Sequence, residues 1–298
     1  MPRTPRPLDG RVAAITGSGR GIGRATAEAC VRAGMKVAIG DLDVPVALLT
    51  AADLGHGTIA LELNVCERES VGRFIDATEE QLGPIDVFVN NAGIMALAPF
   101  VEEDDATARR QVDVNVHGVL YGMKEALARM LPRGHGHVVN MASTAARVGF
   151  AGGATYSGTK HFVVGASEAV RAEIRGSGVD ITCVMPGVVS TELGAGLPQA
   201  RFVGHIEPHT VADAIVAALR KPRFEVYVPR RIGPLSKAGA AVPTPVRDAV
   251  GRLLALDRVL GRPDFEARRA YEQRAARSTG ELEPGDETPQ ELTAPTER

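Results

Sequence analysis

RVAAITGSGRGIG, residues 11–23, joins an apolar run to a glycine-rich turn, and residues 24–34 continue as a helix pattern that Gly34 closes. The apolar run of residues 11–16 predicts a buried β-strand. Glycines between a strand and a helix let the backbone approach a pyrophosphate, whose negative charge is favoured at the helix N-terminus. A glycine-rich loop alone is also compatible with a flexible turn, but the strand–turn–helix order predicts a dinucleotide site.

The second predicted strand, residues 36–41, ends on a carboxylate. Asp41 follows Gly23 by 18 residues, and an acidic side chain at about this spacing accepts hydrogen bonds from the adenosine ribose. Because a carboxylate there repels a 2′-phosphate, we expect the cofactor to be NAD rather than NADP. Arg20 is a contrary signal, since a cation near the loop could serve such a phosphate.

Strand-like and helix-like patterns alternate along most of the chain. Predicted strands cover residues 11–16, 36–41, 58–63, 86–90, 137–142, 180–185 and 224–228, and predicted helices include residues 66–82, 104–131, 154–176 and 209–220. This order predicts an α/β fold, a Rossmann doubly wound parallel sheet of about seven strands with helices on both faces, plus a C-terminal helical extension. Ligands of such sheets bind at the carboxyl ends of the strands, where Gly17, Asp41, Asn91, Ser143 and Pro186 all fall.

Tyr156 and Lys160 lie four residues apart on one face of a predicted helix, and Ser143 precedes Tyr156 by 13 residues. A phenol normally keeps its proton to about pH 10. A nearby ammonium favours the phenolate, so we expect the pair to move a proton near neutral pH. A serine hydroxyl beside them could hold the oxygen of an alcohol or ketone. The three residues therefore indicate proton transfer during alcohol–ketone interconversion.

Over roughly residues 8–230, the chain resembles the short-chain dehydrogenase/reductase family. Residues 16–23 resemble its cofactor loop, Asn90-Asn-Ala-Gly93 resembles its sheet-supporting motif, and Asn115 matches its helix asparagine. Ser143, Tyr156 and Lys160 complete the resemblance to its catalytic tetrad. Each match alone has a structural explanation, such as a turn former or a buried amide, but their joint order favours the functional interpretation.

Two further segments contribute to this resemblance. Pro186-Gly187, with Thr191 just after, resembles the segment that closes over the nicotinamide. Asn64-Val65 stands where the family commonly has Asp-Val beside the adenine, and the asparagine is a departure that keeps an oxygen acceptor.

The resemblance implies an NAD-dependent oxidoreductase that moves a hydride between the nicotinamide and a carbinol or carbonyl carbon. Tyr156 is then the general base or acid, Lys160 keeps the phenolate accessible and binds the nicotinamide ribose, Ser143 orients the substrate oxygen, and Asn115 positions a water that relays protons. The implied cofactor contacts are Gly17, Ser18, Gly19, Arg20, Gly21, Ile22, Gly23, Asp41, Leu42, Asn64, Val65, Asn91, Ala92, Gly93, Tyr156, Lys160, Pro186, Gly187, Val189 and Thr191.

The expected substrate wall is almost wholly apolar. Its principal members are Met95, Ser143, Phe150, Val188 and Leu193, with further contributions from Ala96, Val148, Gly149 and Phe202. Such a wall favours an apolar secondary alcohol or ketone, for example a steroid, a retinoid or a fatty chain, and argues against phosphorylated substrates. The glycines and proline of residues 188–207 fit a mobile lid. Two alternatives remain open, a non-catalytic NAD-binding or sensing protein and an epimerase or dehydratase with retained NAD.

Bulk properties of the chain exclude several other classes. It has 298 residues, 44% of them hydrophobic, and a formal net charge of −2, which gives no nucleic-acid signal. No apolar run approaches the roughly 20 residues of a membrane span, and three widely spaced cysteines indicate reduced thiols rather than a zinc site. We expect a cytoplasmic protein without a bound metal. The helices at 104–131 and 154–176 resemble the family's subunit interface and imply a homodimer or homotetramer.

Three regions are expected along the chain. Residues 1–230 form the dinucleotide-binding catalytic domain, residues 231–280 a basic helical extension, and residues 281–298 a disordered acidic tail. Residues 246–260 have the apolar spacing of an amphipathic helix. The extension is expected to pack on its own domain or on a neighbouring subunit. The alternative is weak association with a membrane surface.

Overall fold

The computed structural model describes residues 5–197, 205–231, 233 and 264–276 of the chain. Seven strands form one sheet in the order β3-β2-β1-β4-β5-β6-β7, and every neighbouring pair is parallel. The strands are β1 Val12–Thr16, β2 Lys36–Asp41, β3 Ile59–Glu62, β4 Val87–Asn90, β5 Gly136–Met141, β6 Val179–Pro186 and β7 Glu225–Val228. The predicted doubly wound sheet is confirmed, with each strand end within one residue of its prediction.

The helices cover both faces of this sheet. They are α1 Gly21–Arg32, α2 Val44–Leu54, α3 Arg68–Leu82, α4 Asp105–Val112, α5 Gly118–Arg133, α6 Ala154–Glu173, α7 Pro208–Arg220 and, in the C-terminal part, α8 Phe265–Ala275. Apolar side chains of α3, α5 and α6 form one core with the sheet. Those of α1, α2 and α7 form a second core on the opposite face. The strands are apolar at successive positions because both of their faces are covered.

The predicted helix over residues 104–131 is helical from Asp105 to Arg133, but it is not α-helical throughout. Helices α4 and α5 are separated by a π-helical turn, Asp113–His117, that contains Asn115. A π-turn inserts one extra residue into a helix, and such turns are frequent at functional sites. The turn packs against α6, and Asn115 bonds the backbone of Ile94, which follows the carboxyl end of β4.

Beta strands β1 and β4 are neighbours, although β2 and β3 lie between them in sequence. The chain therefore reverses its direction of winding between these two strands, and such a switch point opens a crevice at the carboxyl edge. Among the residues that the structure describes, none of the helices combines the length and apolar character needed to cross a bilayer. Predicted helix 246–260, Phe202 and the tail 281–298 lie outside the described residues.

Candidate active site

The glycine loop between β1 and α1 has a backbone path that only glycine follows without strain. Gly17 and Gly21 have φ angles of 61° and 53°, which side-chain-bearing residues rarely adopt. A Cβ atom on Gly17 would also lie 2.7 Å from Ala92 Cα, and one on Gly23 would lie 2.5 Å from Asn91 Nδ2. The loop therefore packs directly on the predicted Asn91-Ala92 segment, with no room for side chains.

Asn91 and Thr16 fix this loop by hydrogen bonds. The Asn91 side chain donates to the carbonyl oxygens of Thr16 and Gly17 at 2.9 and 2.8 Å. In return, Thr16 Oγ1 accepts from the backbone N–H groups of Asn91 and Ala92, both at 3.0 Å. Arg20, at the N-cap position of α1, contributes no side-chain cap, and the first turn of α1 contains no acidic residue. The positive end of the helix dipole is thus left for an anion.

Asp41 ends β2 directly beside the loop. Its Oδ2 accepts from Gly19 N–H at 2.8 Å, and its Oδ1 accepts from Asp43 N–H at 3.1 Å. Arg20, the contrary signal for a 2′-phosphate, is paired with the Asp43 carboxylate at 2.6 Å. Leu42, also a predicted cofactor contact, is exposed between them. The carboxylate of Asp41 therefore dominates the charge at this edge.

Asn64 and Val65, which were predicted to contact the adenine, make most of their contacts within the protein. Asn64 is buried, its Oδ1 accepts from Cys66 N–H at 3.0 Å, and its Nδ2 donates to Glu67 at 2.9 Å. Val65 packs against Gly118, where a Cβ atom would lie 3.0 Å from Val65 Cγ2. The side-chain oxygen that the sequence suggested for the cofactor thus caps the turn that begins α3.

Asn115 and Lys160 meet across Gly93. The buried Asn115 amide accepts from Ile94 N–H at 2.9 Å and donates to the Ile94 carbonyl at 2.8 Å. A Cβ atom on Gly93 would lie 3.1 Å from Asn115 Oδ1 and 3.4 Å from Lys160 Nζ. Lys160 donates to the Met141 carbonyl at 3.0 Å. The structure brings these two predicted catalytic residues to one place.

The Ser143 side chain favours the Tyr156 phenolate and so opposes the effect of burial on the pKa of the phenol. Burial is the larger effect and raises the pKa of Tyr156 to about 12. Burial likewise lowers the pKa of Lys160 to about 8. Lys160 Nζ lies 5.7 Å from the centre of the Tyr156 ring. The expected lowering of the phenol pKa by the lysine is therefore not seen, because burial is the main cause of the pKa shift of both groups.

Residues 186–194 cross over the glycine loop. Pro186 ends β6, Gly187 N–H donates to Val228, and Val189 forms a bridge with Ile206. Thr191 caps a short 3₁₀ turn, and a Cβ atom on Gly21 would lie 3.3 Å from its Cγ2. The predicted nicotinamide segment is thus placed above the loop that would hold the pyrophosphate.

An apolar cluster surrounds Tyr156. Its buried members are Met95, Leu97, Ala145, Tyr156 and Leu197, and Phe150, Val188 and Leu193 pack against them. Phe150 meets the Tyr156 ring edge-on at 6.4 Å between centres. Four of the five principal wall residues predicted from sequence belong to this cluster, and the fifth, Ser143, lowers the pKa of Tyr156. Val148 is exposed instead.

Sequence reasoning missed Leu97, Ala145 and Leu197, and above all two residues of α8. Arg268 and Tyr271 reach this part of the molecule and bond the backbone of Met95. Their signal was the spacing of buried positions 268, 271 and 275 on one helix face. That signal was obscured because the stripe contains an arginine.

Comparison with known proteins gives one consistent result. Residues 11–201 match the family model described as short chain dehydrogenase. The chain is 38% identical over 199 residues to sorbitol dehydrogenase of Cereibacter sphaeroides, covering 66% of this chain and 77% of that protein. It is 37% identical over 220 residues to cis-4-hydroxycyclohexanecarboxylate dehydrogenase of Sinomonas cyclohexanicum, covering 69% and 87%.

A solved structure is also similar. It is a short chain dehydrogenase/reductase from Burkholderia phymatum in complex with NAD, with a TM-score of 0.72 and 26% sequence identity. The match covers 78% of this chain and 93% of that one.

Proposed function

Because this chain belongs to the short-chain dehydrogenase family, and is an oxidoreductase acting on CH–OH groups, we propose that it uses NAD to interconvert an apolar secondary alcohol and its ketone, or an alcohol and aldehyde. One observation carries the proposal. The buried Tyr156 phenol lies in an apolar cluster, with Ser143 close enough to lower its pKa, and Lys160 and Asn115 both lie against Gly93 nearby. A proton donor and an oxygen-binding hydroxyl thus face one water-poor site.

The residues present fit a bound dinucleotide. The loop has no space for side chains at Gly17 and Gly23, and the N-terminus of α1 lacks an acidic first turn. The loop would hold the pyrophosphate and Asp41 the adenosine ribose. When bound, NAD supplies the hydride acceptor or donor.

The chain's own residues would handle the oxygen and the proton. In oxidation, the Tyr156 phenolate takes the hydroxyl proton as the hydride leaves the carbinol carbon and the carbonyl forms. Ser143 donates to the substrate oxygen and opposes the rise of the Tyr156 pKa. Lys160, whose pKa burial lowers to about 8, holds or passes a proton near neutral pH, and Asn115 lies against the same glycine, Gly93. In reduction the same proton moves back from Tyr156.

The choice of NAD over NADP rests on charge. Asp41 carries its carboxylate beside Gly19 N–H, and Arg20 is held by Asp43 rather than left for a phosphate. A 2′-phosphate at this edge would meet the Asp41 carboxylate, while Arg20 is already paired with Asp43.

The substrate class rests on the wall rather than on the relatives. The named relatives act on a sugar alcohol and on a cyclic hydroxy acid, so they agree on a carbinol but not on polarity. The cluster of Met95, Leu97, Phe150, Val188, Leu193 and Leu197 offers apolar surface to a substrate. We therefore favour apolar alcohols and ketones.

We further infer a homodimer or homotetramer formed through α5 and α6. Leu131 on α5 and Phe162 on α6 are exposed large apolar side chains, which a subunit contact would cover. Sedimentation velocity tests this inference, and a monomer at all concentrations contradicts it.

The function is tested by absorbance of reduced nicotinamide, with NAD and a panel of secondary alcohols. We expect turnover that Tyr156→Phe lowers by about 10³-fold or more, while NAD binding by calorimetry stays within about twofold. Tyr121→Phe, in which the phenol lies on α5, is the matched control and should keep activity. Retained activity in Tyr156→Phe contradicts the assignment. NAD binding without any turnover would favour the non-catalytic alternative.

A further inference from the structure

Helix α8 packs one narrow face against the body of the protein. Arg268 is completely buried, and Tyr271 and Ala275 each retain 9% exposure. These positions are three and four residues apart, so they form one stripe along the helix. Arg269 and Gln273 on the other side are exposed. The direction in which α8 faces is therefore set by an arginine and a tyrosine rather than by a purely apolar stripe.

The Arg268 guanidinium connects two segments that border the apolar cluster. Its Nη1 donates to the carbonyls of Leu193 and Ala195 at 3.0 and 2.9 Å, and its Nη2 donates to the Met95 carbonyl at 2.7 Å. Its Nε donates to Glu272 at 3.0 Å. A buried cation is tolerated only when its donors are satisfied, and here backbone carbonyls and one carboxylate satisfy it. Arg268 consequently positions the backbone and is not left to bind a substrate.

Tyr271 holds the same segment one turn further along. Its hydroxyl accepts from Met95 N–H at 2.7 Å. Met95 is thus held at both backbone groups, its N–H by Tyr271 and its carbonyl by Arg268. Burial raises the pKa of Tyr271 above its ordinary value, and Tyr156 is close enough to contribute to the same rise. Met95 packs in the same cluster as Tyr156, so the phenol of α8 holds the backbone of a residue beside the proposed catalytic phenol.

Gly196 makes this docking specific. It has a φ angle of 68°, and a Cβ atom there would lie 2.9 Å from Arg268 Cγ. Asp264 N–H donates to the Gly196 carbonyl at 2.8 Å, and the Asp264 side chain caps the first turn of α8. Any side chain at position 196 would push the start of α8 away.

From these contacts we propose that α8 is a fixed wall of the substrate site and that Arg268 and Tyr271 set the size of alcohol the site accepts. The inference rests on the proposed dehydrogenase function. Met95, Leu193 and Leu197 line the cluster around Tyr156, and α8 holds Met95 and the segment of residues 193–196 from behind. Because these segments are fixed, the wall cannot recede, and we expect its removal to favour elongated secondary alcohols over compact ones.

Kinetics with a compact and an elongated probe test the wall. The probes are cyclohexanol and 4-cyclohexylcyclohexanol, and the quantity is the ratio of their kcat/KM values. Tyr271→Ala keeps Arg268 but removes the ring. We therefore expect the kcat/KM of cyclohexanol divided by that of 4-cyclohexylcyclohexanol to fall on the order of tenfold, because the elongated alcohol is used better. Arg268→Met and Gly196→Ala release the two segments, and should raise KM for cyclohexanol more than they lower kcat. Arg269→Met and Gln273→Ala, on the exposed side of α8, are the matched controls.

Hydrogen exchange tests the docking without any turnover. The Met95 amide bonds Tyr271, so peptides that contain residue 95 or residues 193–197 should exchange about tenfold faster or more in Arg268→Met and Gly196→Ala. The two control variants should exchange like the wild-type protein. In Arg268→Lys, slower exchange of these peptides than in Arg268→Met, together with a kcat/KM ratio closer to that of the wild-type protein, would support a positioning role for the cation.

The outcomes separate the two proposals. Faster exchange together with a lower ratio supports the wall. Unchanged hydrogen exchange in Arg268→Met and Gly196→Ala overturns it. A kcat/KM ratio that stays unchanged in Tyr271→Ala, Arg268→Met and Gly196→Ala overturns it as well, even if exchange is faster. If the wild-type protein binds NAD yet oxidises no alcohol, the proposed function fails, and the wall falls with it even where exchange shows α8 docked.

Discussion

At Tyr156, burial and the Ser143 side chain act on one pKa in opposite directions. Burial raises the pKa to about 12, and Ser143 opposes the rise. Alcohol oxidation needs the phenolate, so any group that lowers this pKa extends activity to lower pH. The positive charge of an oxidised nicotinamide would act in the same direction as Ser143.

Ser143→Ala should therefore move the rise of kcat/KM for alcohol oxidation to higher pH. We expect a shift of about one pH unit and a fall in kcat of about 10²-fold. The pH profile is measured with saturating NAD. Ser157→Ala is the matched control, because the buried Ser157 hydroxyl has no hydrogen-bond partner in the described part of the chain. An unmoved profile in Ser143→Ala would show that the serine does not tune the phenol.

Asp41 and Asp43 make separate contributions to cofactor choice. Asp41→Asn keeps an oxygen that can accept from Gly19 N–H but removes the charge that repels a 2′-phosphate. We expect kcat/KM with NADP to rise about tenfold. Adding Asp43→Asn releases Arg20 from its 2.6 Å ion pair and should raise NADP use further.

Asp53→Asn, which affects only an exposed pair with Arg24, is the control for this series. Steady-state rates with both cofactors give the answer. An NADP rate that stays at the wild-type value in the double variant would show that charge at this edge does not select the cofactor.

The sequence predicts individual elements well where one short stretch contains the whole signal. The glycine loop, Asp41 and the Tyr156–Lys160 pair depend on spacings within a few turns or one strand–helix unit, and the structure has them at the same edge. The π-turn at 113–117 was missed because it lies inside a run that is helical on both sides, where the residue types predict a helix with or without the turn. Its presence is explained by contacts distant in sequence, since Asn115 bonds both backbone groups of Ile94.

Asn115→Ala tests this element. It leaves the buried Ile94 N–H and carbonyl without their partner, so we expect the free energy of unfolding to fall by about 2 kcal/mol. Urea unfolding at neutral pH measures the change. Asn115→Asp should restore one of the two bonds and lose less. If Asn115→Ala unfolds at the wild-type urea concentration, the asparagine is not what holds the turn against residue 94.

On the scale of the whole molecule, the position of α8 could not be predicted from sequence. Arg268 touches carbonyls more than 70 residues away in sequence, and a guanidinium in a helix is ordinarily a sign of an exposed face. Only the folded arrangement of residues 95 and 193–195 makes its burial favourable. The site is therefore predictable where side chains act locally, and unpredictable where a distant segment completes it.

His137 makes the stability of the whole fold sensitive to acid. It lies in β5, and its Nε2 bonds the Thr182 hydroxyl at 2.8 Å, while that hydroxyl donates to the Arg223 carbonyl at 2.7 Å. Nε2 must then carry the ring proton, and the buried Nδ1 has no partner in the described structure. Burial lowers the pKa to about 4; Asp180 opposes this change and Arg6, which pairs with Asp180 at 2.6 Å, supports it.

The pKa of His137 is lower in the folded protein than in the unfolded chain, so the unfolded chain binds more protons between about pH 6.5 and 4. The free energy of unfolding therefore decreases as the pH is lowered through that window. Between pH 7 and 5 this one histidine should cost about 2 kcal/mol. His137→Gln keeps a donor for Thr182 but cannot titrate, so it should lose about that much less over the same interval, whatever its stability at pH 7. Urea unfolding of both proteins at pH 7 and pH 5, at one protein concentration, measures the difference. Equal losses in the two proteins would mean that the imidazole is protonated as easily in the fold as in water, and that other groups set the acid limit.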